Sequence, residues 1–466
     1  MSNKQAASVP DAFERALDVI LARVSVSAPR QRSLAVAYSG GLDSSALLHL
    51  VCRYATERGL VLFAFHVHHG ISSHADDWLV HCERECASLG VRFDARRITL
   101  VEQDRHGIEQ AARLRRYEAL GELCRLHRVP LLLTAHHLDD QAETVLLQLL
   151  RGSGIAGLSG MESVNTAAGL LGDPELLLGR PLLDVSRCEL EQFVADHDIA
   201  HVEDESNADT RYVRNALRHY VMPVLGQYFP GFQARFMRSA RHAQSAQRLL
   251  NERAAQDFAV CREGDCIDIG KLKRLDSERI DNLLRYWFAL RGLRMPSTSW
   301  LFEARAQLFE AKADAQLRVI HPDCEIRRHR DRIFLTLRRN DDALQVGPLS
   351  FRWNGEQTID FLAYGGSLHF EPAQEGIDAA WLRGQDLLIR YRSGGETLKP
   401  AVNRPTKPLK HHYQALNIPA WERSRLPLVC TAGGQLLFAA GIGLNWRGLR
   451  GGSAHCVRLR WEAVSA

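Results

Sequence analysis

"VAYSGGLDSSALLHLVCRYA", Val36 to Ala55, decides how the first part of this chain folds. The run leading into it, Leu34 to Tyr38, is short, apolar and partly β-branched, which predicts a buried strand. Beyond it Ala46, Leu47, Leu50, Val51 and Tyr54 recur at helical spacing. Between strand and helix stand Ser39, Gly40, Gly41, Leu42, Asp43 and Ser44. A glycine turn opening a helix makes a phosphate cradle: the backbone comes close to the oxygens, and first-turn N–H groups point at them. A Walker loop is longer and has a Lys before its Ser/Thr. Here Asp43 takes that place. An acid beside phosphates is chemically sensible with a divalent cation between them, so Asp43 reads as a Mg²⁺ anchor. The plain alternative is a helix N-cap at Ser39, with Asp43 complementing the helix dipole.

Outward from this stretch, strand and helix alternate to about Leu150. Apolar runs at 34–38, 60–67, 91–98 and 129–135 predict strands, and 76–89, 108–126 and 139–150 predict amphipathic helices. Such alternation implies an α/β domain: a parallel sheet covered on both faces, with ligands at the carboxyl ends of the strands. Ser39–Ser44, His66–Gly70 and His136–Asp140 all fall at such ends. A Gly-, Asn- and Ser-rich loop (152–175) follows. From Ser206 to about Asp257 the pattern is helical and basic, broken by Pro223 and Pro230. Helices dominate from 258 to 338, and short strands from 345 to the end.

The whole chain sets the bounds. Its 466 residues allow two or three domains with ample core. No apolar stretch reaches the ~18 residues of a membrane span, so no membrane partner is expected. The first twenty residues lack an apolar signal core, which predicts a cytoplasmic protein. Ten cysteines are scattered without a C-x-x-C, so buried reduced thiols are expected rather than a zinc or redox site.

Three further clusters carry chemistry. In "TAHHLDDQAETVLLQLLRGSG" (134–154) Asp139, Asp140 and Glu143 fall in the first turn and a half of a helix, with His136 just before. Asp139 and Glu143, four apart, are expected on one face. They suit a metal, substrate-amine and general-base cluster, although acids at a helix start also simply complement its dipole. In "GIEQAARLRRYEAL" (107–120), Arg113 is a candidate for an ATP phosphate. Arg211, Arg214, Asn215 and Arg218 recur at helical spacing after a run of acids, suggesting a surface facing a polyanion. Nine Lys/Arg against three acids between Arg383 and Arg425 give a local +6, more than the +4 of the whole chain. Arg392, Arg404, Lys407, Lys410 and Arg423 in that stretch are candidate phosphate contacts for a nucleic acid.

Ser39-Gly-Gly-Leu-Asp-Ser44 resembles the pyrophosphate-loop signature of the ATP pyrophosphatases. Together with "HVHHGISSHADDW", "HHLDDQAETVLLQLLRGSG", "RPLL", "EDESNADTRYVRNALRHYVMPVL" and "RYRSGGETLKPAVNRPTKPLKHHYQALNIPAWERSRLPLV", it resembles the tRNA(Ile)-lysidine synthetase family. One departure is His411-His412, where the family often has a further Lys after Lys410. The resemblance implies an α/β, Rossmann-like ATP-pyrophosphatase domain (1–222), a helical linker (223–257), a helical middle domain (258–340) and a small, basic α+β tRNA-binding domain (345–466). It implies a ligase using ATP, Mg²⁺ and L-lysine on the wobble cytidine of tRNA(Ile) with a CAU anticodon, with a homodimer among its possible assemblies. Asp43, His136, Asp139, Asp140 and Glu143 would be catalytic; Ser39 to Ser44 and Arg113 would hold ATP; Arg211, Arg214, Asn215 and the tail residues would bind tRNA. Two other readings are a tRNA thiolase with the same loop and a non-catalytic tRNA-binding protein. Thiolases of this superfamily typically use paired cysteines near the site, and no cysteine stands in these motifs.

Overall fold

In the computed structural model, residues 8–27, 33–68, 70, 74–98, 108–203, 209–310, 317–337, 346–448 and 455–463 are described. His69, Asp204 and Glu205, from the quoted motifs, lie outside them, as does the side chain of Glu109. The chain divides into two compact units, Met1–Asp257 and Phe258–Ala466.

The first unit follows the alternation. After α1 (Val9–Ser27) come β1 (Ser33–Ala37), α2 (Leu42–Arg58), β2 (Val61–His68), α3 (Ala75–Ser88), β3 (Arg92–Arg97), α4 (Ile108–His127), β4 (Leu131–Leu133) and α5 (Leu138–Leu150). Short α6 (Ile155–Leu158), β5 (Val164–Thr166), α7 (Ala168–Leu171) and β6 (Leu177–Gly179) precede α8 (Arg187–Asp196). The sheet order is β3-β2-β1-β4-β6-β5. All its neighbours are parallel except the β5–β6 pair at one edge. Successive residues of β1 serve opposite faces, as a strand requires. Leu34 and Val36 join Phe13, Leu17, Leu47 and Leu190 under α1, α2 and α8. Ala35 joins Phe65, Tyr117, Leu120 and Leu171 under α4 and α7. Strand order reverses between β1 and β4, and a doubly wound sheet opens its ligand crevice at that point. The Ser39–Ser44 loop follows β1, and His136–Asp140 follows β4.

The basic stretch folds as α9 (Val213–Ala216), a π-helical turn (Leu217–Val221), α10 (Met222–Tyr228) and α11 (Phe232–Cys261). Pro223 sits in the first turn of α10, where its missing N–H costs nothing.

In the second unit two short strands, Arg262–Glu263 and Cys266–Asp268, precede three helices, α12 (Ile269–Leu272), α13 (Ser277–Leu290) and α14 (Thr298–Glu310). They pack Ile280, Leu284, Trp287, Phe288 and Leu301 against Ile267, Val319, Ile326 and Ile333. Those last four belong to a five-stranded antiparallel sheet that the sequence reading, which gave this region to helices, did not resolve. Its two longest strands are short: Cys324–His329 (CEIRRH) is mostly polar, whereas Arg332–Leu337 (RIFLTL) carries an apolar run that the reading assigned to no strand. Farther on, the expected short strands form a five-stranded and a four-stranded sheet. Trp353, Phe361, Leu368, Ile389, Phe438 and Leu459 make the core there.

Candidate active site

The loop after β1 is held from several sides. Gly40 sits at φ +86°, in the left-handed region, and an added Cβ would stand 2.9 Å from the sulfur of Cys82 and 3.2 Å from Val202. The Val202 N–H donates to the Gly40 carbonyl at 2.9 Å, and Gly41 bridges Val202 in parallel fashion. Ser44 Oγ donates to the Gly41 carbonyl at 2.9 Å and lies 3.0 Å from Ser39 Oγ. The residue capping α2 is Gly41, which has no side chain to offer, so the alternative of a Ser39 N-cap does not hold. The first-turn N–H groups of a seventeen-residue helix therefore face outward with no side-chain cap, which is the arrangement that accepts anionic oxygens.

Across the crevice, His137 caps α5: its Nδ1 accepts from the Asp140 N–H at 3.4 Å, and Asp140 Oδ2 accepts the His137 N–H at 3.1 Å. The reciprocal box fixes where the acids of the first turn point. Asp140 Oδ1 receives Arg214 Nη2 (3.2 Å) and Arg218 Nη2 (3.1 Å). Glu143, only 1% exposed, receives Arg214 Nε and Arg218 Nε, each at 2.7 Å, and Arg218 Nη2 at 3.1 Å. Asp139 turns elsewhere. Its Oδ2 accepts the backbone N–H of Arg187 (2.8 Å) and its Oδ1 accepts Gln233 Nε2 (3.1 Å). Asp139 and Glu143 lie four apart in α5, as expected, but their side chains take different partners, and it is Asp140 and Glu143 that two arginines bridge. Burial alone would raise the Asp140 carboxyl, but the charges of His137 and Arg214 outweigh it and hold it below the usual carboxylate range.

His136 is pushed down to about 3, first by burial and then by the positive charges of Arg180, Arg214 and Arg113 against the pull of Asp140. It is therefore neutral at pH 7, sharing a 2.9 Å hydrogen bond with Thr134 Oγ1. Arg113 stacks over Tyr117, 5.2 Å from the ring centroid, and its charge is felt at His136 and Arg180. Asp43 stands between the two sides. Its Oδ1 lies 2.6 Å from Arg187 Nη1 and its Oδ2 lies 3.7 Å from His137 Nε2. Oδ1 is buried yet accepts no aligned hydrogen bond. That oxygen, met by the Arg187 guanidinium but by no well-aligned donor, fits a divalent cation. No cluster of three ligating side chains is preformed among the described residues, so nucleotide oxygens and water would complete the shell, as is usual for Mg²⁺.

Of the remaining sequence candidates, Arg214 is part of this ion-pair lattice rather than an outward tRNA contact. Arg211 is exposed and paired with Asp209, whose backbone carbonyl also accepts Asn215 Nδ2 at 3.0 Å. In the tail Arg404, Lys407 and Lys410 are exposed and Arg392 half-buried. Arg423 is buried, its Nε donating to the Ile418 carbonyl at 2.7 Å, so its guanidinium serves the fold and leaves the phosphate-facing set. Tyr413 is likewise core. The sequence reading gave no role to Arg187, His137 or Gln233. Only "RPLLDVSR" and the doubled His136-His137 marked their neighbourhood. A cysteine does lie beneath the loop, but the Cys82 thiol is fully buried and burial pushes it up to about 12, so it is inert as a nucleophile.

Comparison with known proteins agrees with this geometry. A PP-loop domain model matches residues 11–225, a TilS substrate binding domain model 267–334, and a TilS substrate C-terminal domain model 387–461. Loop, sheet and crevice together define an ATP pyrophosphatase of the PP-loop class, an ATP-using enzyme. The tRNA(Ile)-lysidine synthase of Ralstonia nicotianae is 42% identical over 420 residues, covering 88% of this chain and 89% of that protein. Those of Nitrosomonas europaea and Coxiella burnetii are 37% and 36% identical, each over more than four-fifths of both chains. The chain belongs to the tRNA(Ile)-lysidine synthase family, and its function is the ligase reaction that installs lysidine in tRNA(Ile). A solved U34-tRNA thiolase, NcsA from Methanococcus maripaludis with its [4Fe-4S] cluster, overlaps with a TM-score of 0.39 at 16% identity, covering 49% of this chain and 80% of that one. That overlap carries no functional argument. No helix among the described residues is long and apolar enough to cross a membrane.

Proposed function

We propose that the crevice between β1 and β4 joins L-lysine to C2 of the wobble cytidine in tRNA(Ile) with a CAU anticodon, converting ATP to AMP and pyrophosphate. The observation that carries the reading is the uncapped helix start at Gly41, with Asp43 in its first turn, across the crevice from Asp139, Asp140 and the buried Glu143. A cytidine C2 oxygen is a poor leaving group, so it must first become a phosphate ester. Adenylation releases pyrophosphate, and N–H groups from Gly40 to Ser44 suit the charge that develops there. Mg²⁺ at Asp43 would supply further charge neutralisation of the phosphates when bound. Arg113 is the candidate for a phosphate contact from α4.

The lysine ε-amine then attacks C2 and AMP leaves. The amine has a reference pKa of about 10.4, so freeing its lone pair at pH 7 costs roughly 4.6 kcal/mol. Glu143 is engaged by two guanidiniums and Asp140 by two guanidiniums and a cap, so neither is a free base. Asp139, held only by an amide N–H and Gln233, has the lone pairs to receive a proton or an ammonium. Asp140 and Glu143 position the arginines, and neutral His136 serves as a hydrogen-bonding group.

The division of labour follows the chain: residues 1–222 for chemistry, 223–257 as linker, 258–340 as middle domain, and 345–466 for holding the tRNA body through Arg392, Arg404, Lys407 and Lys410. Arg211 and Asn215 are the candidate tRNA contacts of the first unit, Arg211 being exposed. A cytoplasmic setting accords with a tRNA substrate, and a homodimer is compatible with these roles. Incubating the protein with ATP, labelled L-lysine and tRNA(Ile) tests the reading. Label should enter the tRNA, one AMP appearing per lysine joined; AMP release without labelled tRNA would reject it.

A further inference from the structure

Three guanidiniums reach three of the four carboxylates of this edge, Asp43, Asp140 and Glu143, and one is held differently from the others. Arg214 and Arg218 each bond two carboxylates, including the buried Glu143. Arg187 opens α8, and its backbone is fixed by the N–H bond to Asp139. Its Nε is taken by Glu191 Oε1 at 2.9 Å, and its Nη1 meets Asp43 Oδ1 at 2.6 Å. That oxygen is buried and has no well-aligned donor. The contact is thus a short but poorly aligned ion pair, which a better-directed ligand can replace. Arg187 is 38% exposed and its other partner, Glu191, is 54% exposed, so the guanidinium has open space to move into and a carboxylate to retreat to.

We infer that Arg187 is a displaceable counter-ion at the metal–triphosphate site: it neutralises Asp43 while the crevice holds no nucleotide, and transfers to a phosphate oxygen when the cation arrives with ATP. The inference rests on Asp43 as the cation anchor. Charge explains why the exchange is selective. A bare divalent cation reaching Asp43 must expel a guanidinium from that carboxylate and sit near its positive charge, which the exposed Glu191 offsets only in part. A cation bound to triphosphate brings anionic oxygens to which the same guanidinium can make shorter, charge-assisted and bidentate bonds. The site should therefore disfavour free metal and favour metal–nucleotide. Arg187 would act as a binding residue that discriminates between them.

The test uses the full chain, with Mn²⁺ as probe. Paramagnetic resonance measures free Mn²⁺ in the absence of nucleotide, and steady-state assays at saturating Mg²⁺ give KM for ATP. In Arg187→Ala, Mn²⁺ affinity should rise roughly fivefold, the scale of one partly exposed ion pair removed, while KM for ATP rises and circular dichroism stays unchanged. Arg187→Lys should retain much of the effect on Mn²⁺ but not restore KM, because an ammonium lacks the planar fork. Asp43→Asn separates the layers of the argument. Loss of the Mn²⁺ site in Asp43→Asn, with Arg187→Ala unchanged in both Mn²⁺ affinity and KM, would overturn the counter-ion role and leave the anchor standing. Unchanged Mn²⁺ binding in Asp43→Asn would overturn both.

Discussion

Replacing Glu143 by Gln isolates what the buried carboxylate does. The side chain keeps its shape, but an amide oxygen replaces two carboxylate oxygens, and an NH₂ group now faces a guanidinium. Three N–H contacts at 2.7, 2.7 and 3.1 Å lose their charged acceptor. Breaking a fully buried ion pair costs about 3–5 kcal/mol. Here the acid is 1% exposed, but Arg214 and Arg218 are 27% and 39% exposed, so water screens part of the loss, and about 2–3 kcal/mol is the expected cost. For a unit of this size each kcal/mol lowers Tm by about 2–4 °C, so a fall of about 4–12 °C is expected in calorimetry of the full chain. A cycle with Arg218→Gln should show a coupling of about 1 kcal/mol or more, since the two groups touch. Lysidine formation should fall further than tRNA affinity, because the arginines that lose their anchor line the crevice. A Tm unchanged within a degree, with a coupling below about 0.3 kcal/mol, would show that charge at Glu143 does not hold the lattice. Full turnover with weakened tRNA binding would refute its place in the chemistry.

Asp43→Asn should abolish lysine- and tRNA-dependent pyrophosphate release from a folded protein; near-normal release at physiological Mg²⁺ would contradict the anchor. Removing the chain after about residue 345 should raise KM for tRNA on the order of 10²-fold or more and flatten its salt dependence, with ATP binding little changed; equal affinity and salt slope in a folded truncate would exclude a tRNA role for the tail. No single Cys→Ser substitution should abolish activity, and no visible iron–sulfur band should accompany the protein; either result would favour sulfur chemistry. His136, held neutral by burial to about 3, takes up no proton in the fold while the unfolded chain does below about 6.5. Stability tied to it is therefore complete above about pH 6.5 and is lost as pH falls from there toward 3, with a slope of at most about 1.4 kcal/mol per pH unit. His136→Asn should flatten the fall of Tm between pH 7 and 5, and an unchanged profile would refute this.

Much of the first unit was legible because its signals are local. Strands buried on both faces read as continuous apolar runs, and β1, β2 and β4 are of that kind. Ser-Gly-Gly between strand and helix marks a turn with a defined job, and Gly40 adopts the left-handed backbone that requires glycine. Fold and family thus followed from short stretches. The sheet built from Cys324–His329 and Arg332–Leu337 was harder. Its apolar face draws Ile326, Ile333, Val319 and Ile267 from four separate strands of three to six residues, and runs that short do not distinguish strand from helix by periodicity.

The site divides along the same line. A residue type at a helix start can be read from sequence; the partner that claims it cannot. Arg214 and Arg218 meet Glu143 across 71 and 75 residues, and helical spacing shows only that the two arginines share a face. Their purpose on that face is set by what lies opposite. An exposed i,i+4 arginine pair serves a polyanion, whereas the same pair over a buried carboxylate neutralises it and fixes the crevice wall. The structure places Arg214 in the second role, and the consequence reaches the chemistry. Asp140 and Glu143 share one pair of guanidiniums, so their charge is already balanced before any substrate binds. Asp43 is balanced only by a single exposed side chain, and Asp139 has no cationic partner nearer than His137, at 3.8 Å. Among the described residues of this edge, the negative charge least offset by guanidiniums is thus that of Asp43 and Asp139, which Arg187 joins through its side chain and its backbone N–H. These are the two carboxylates that the proposed metal and lysine ammonium would take.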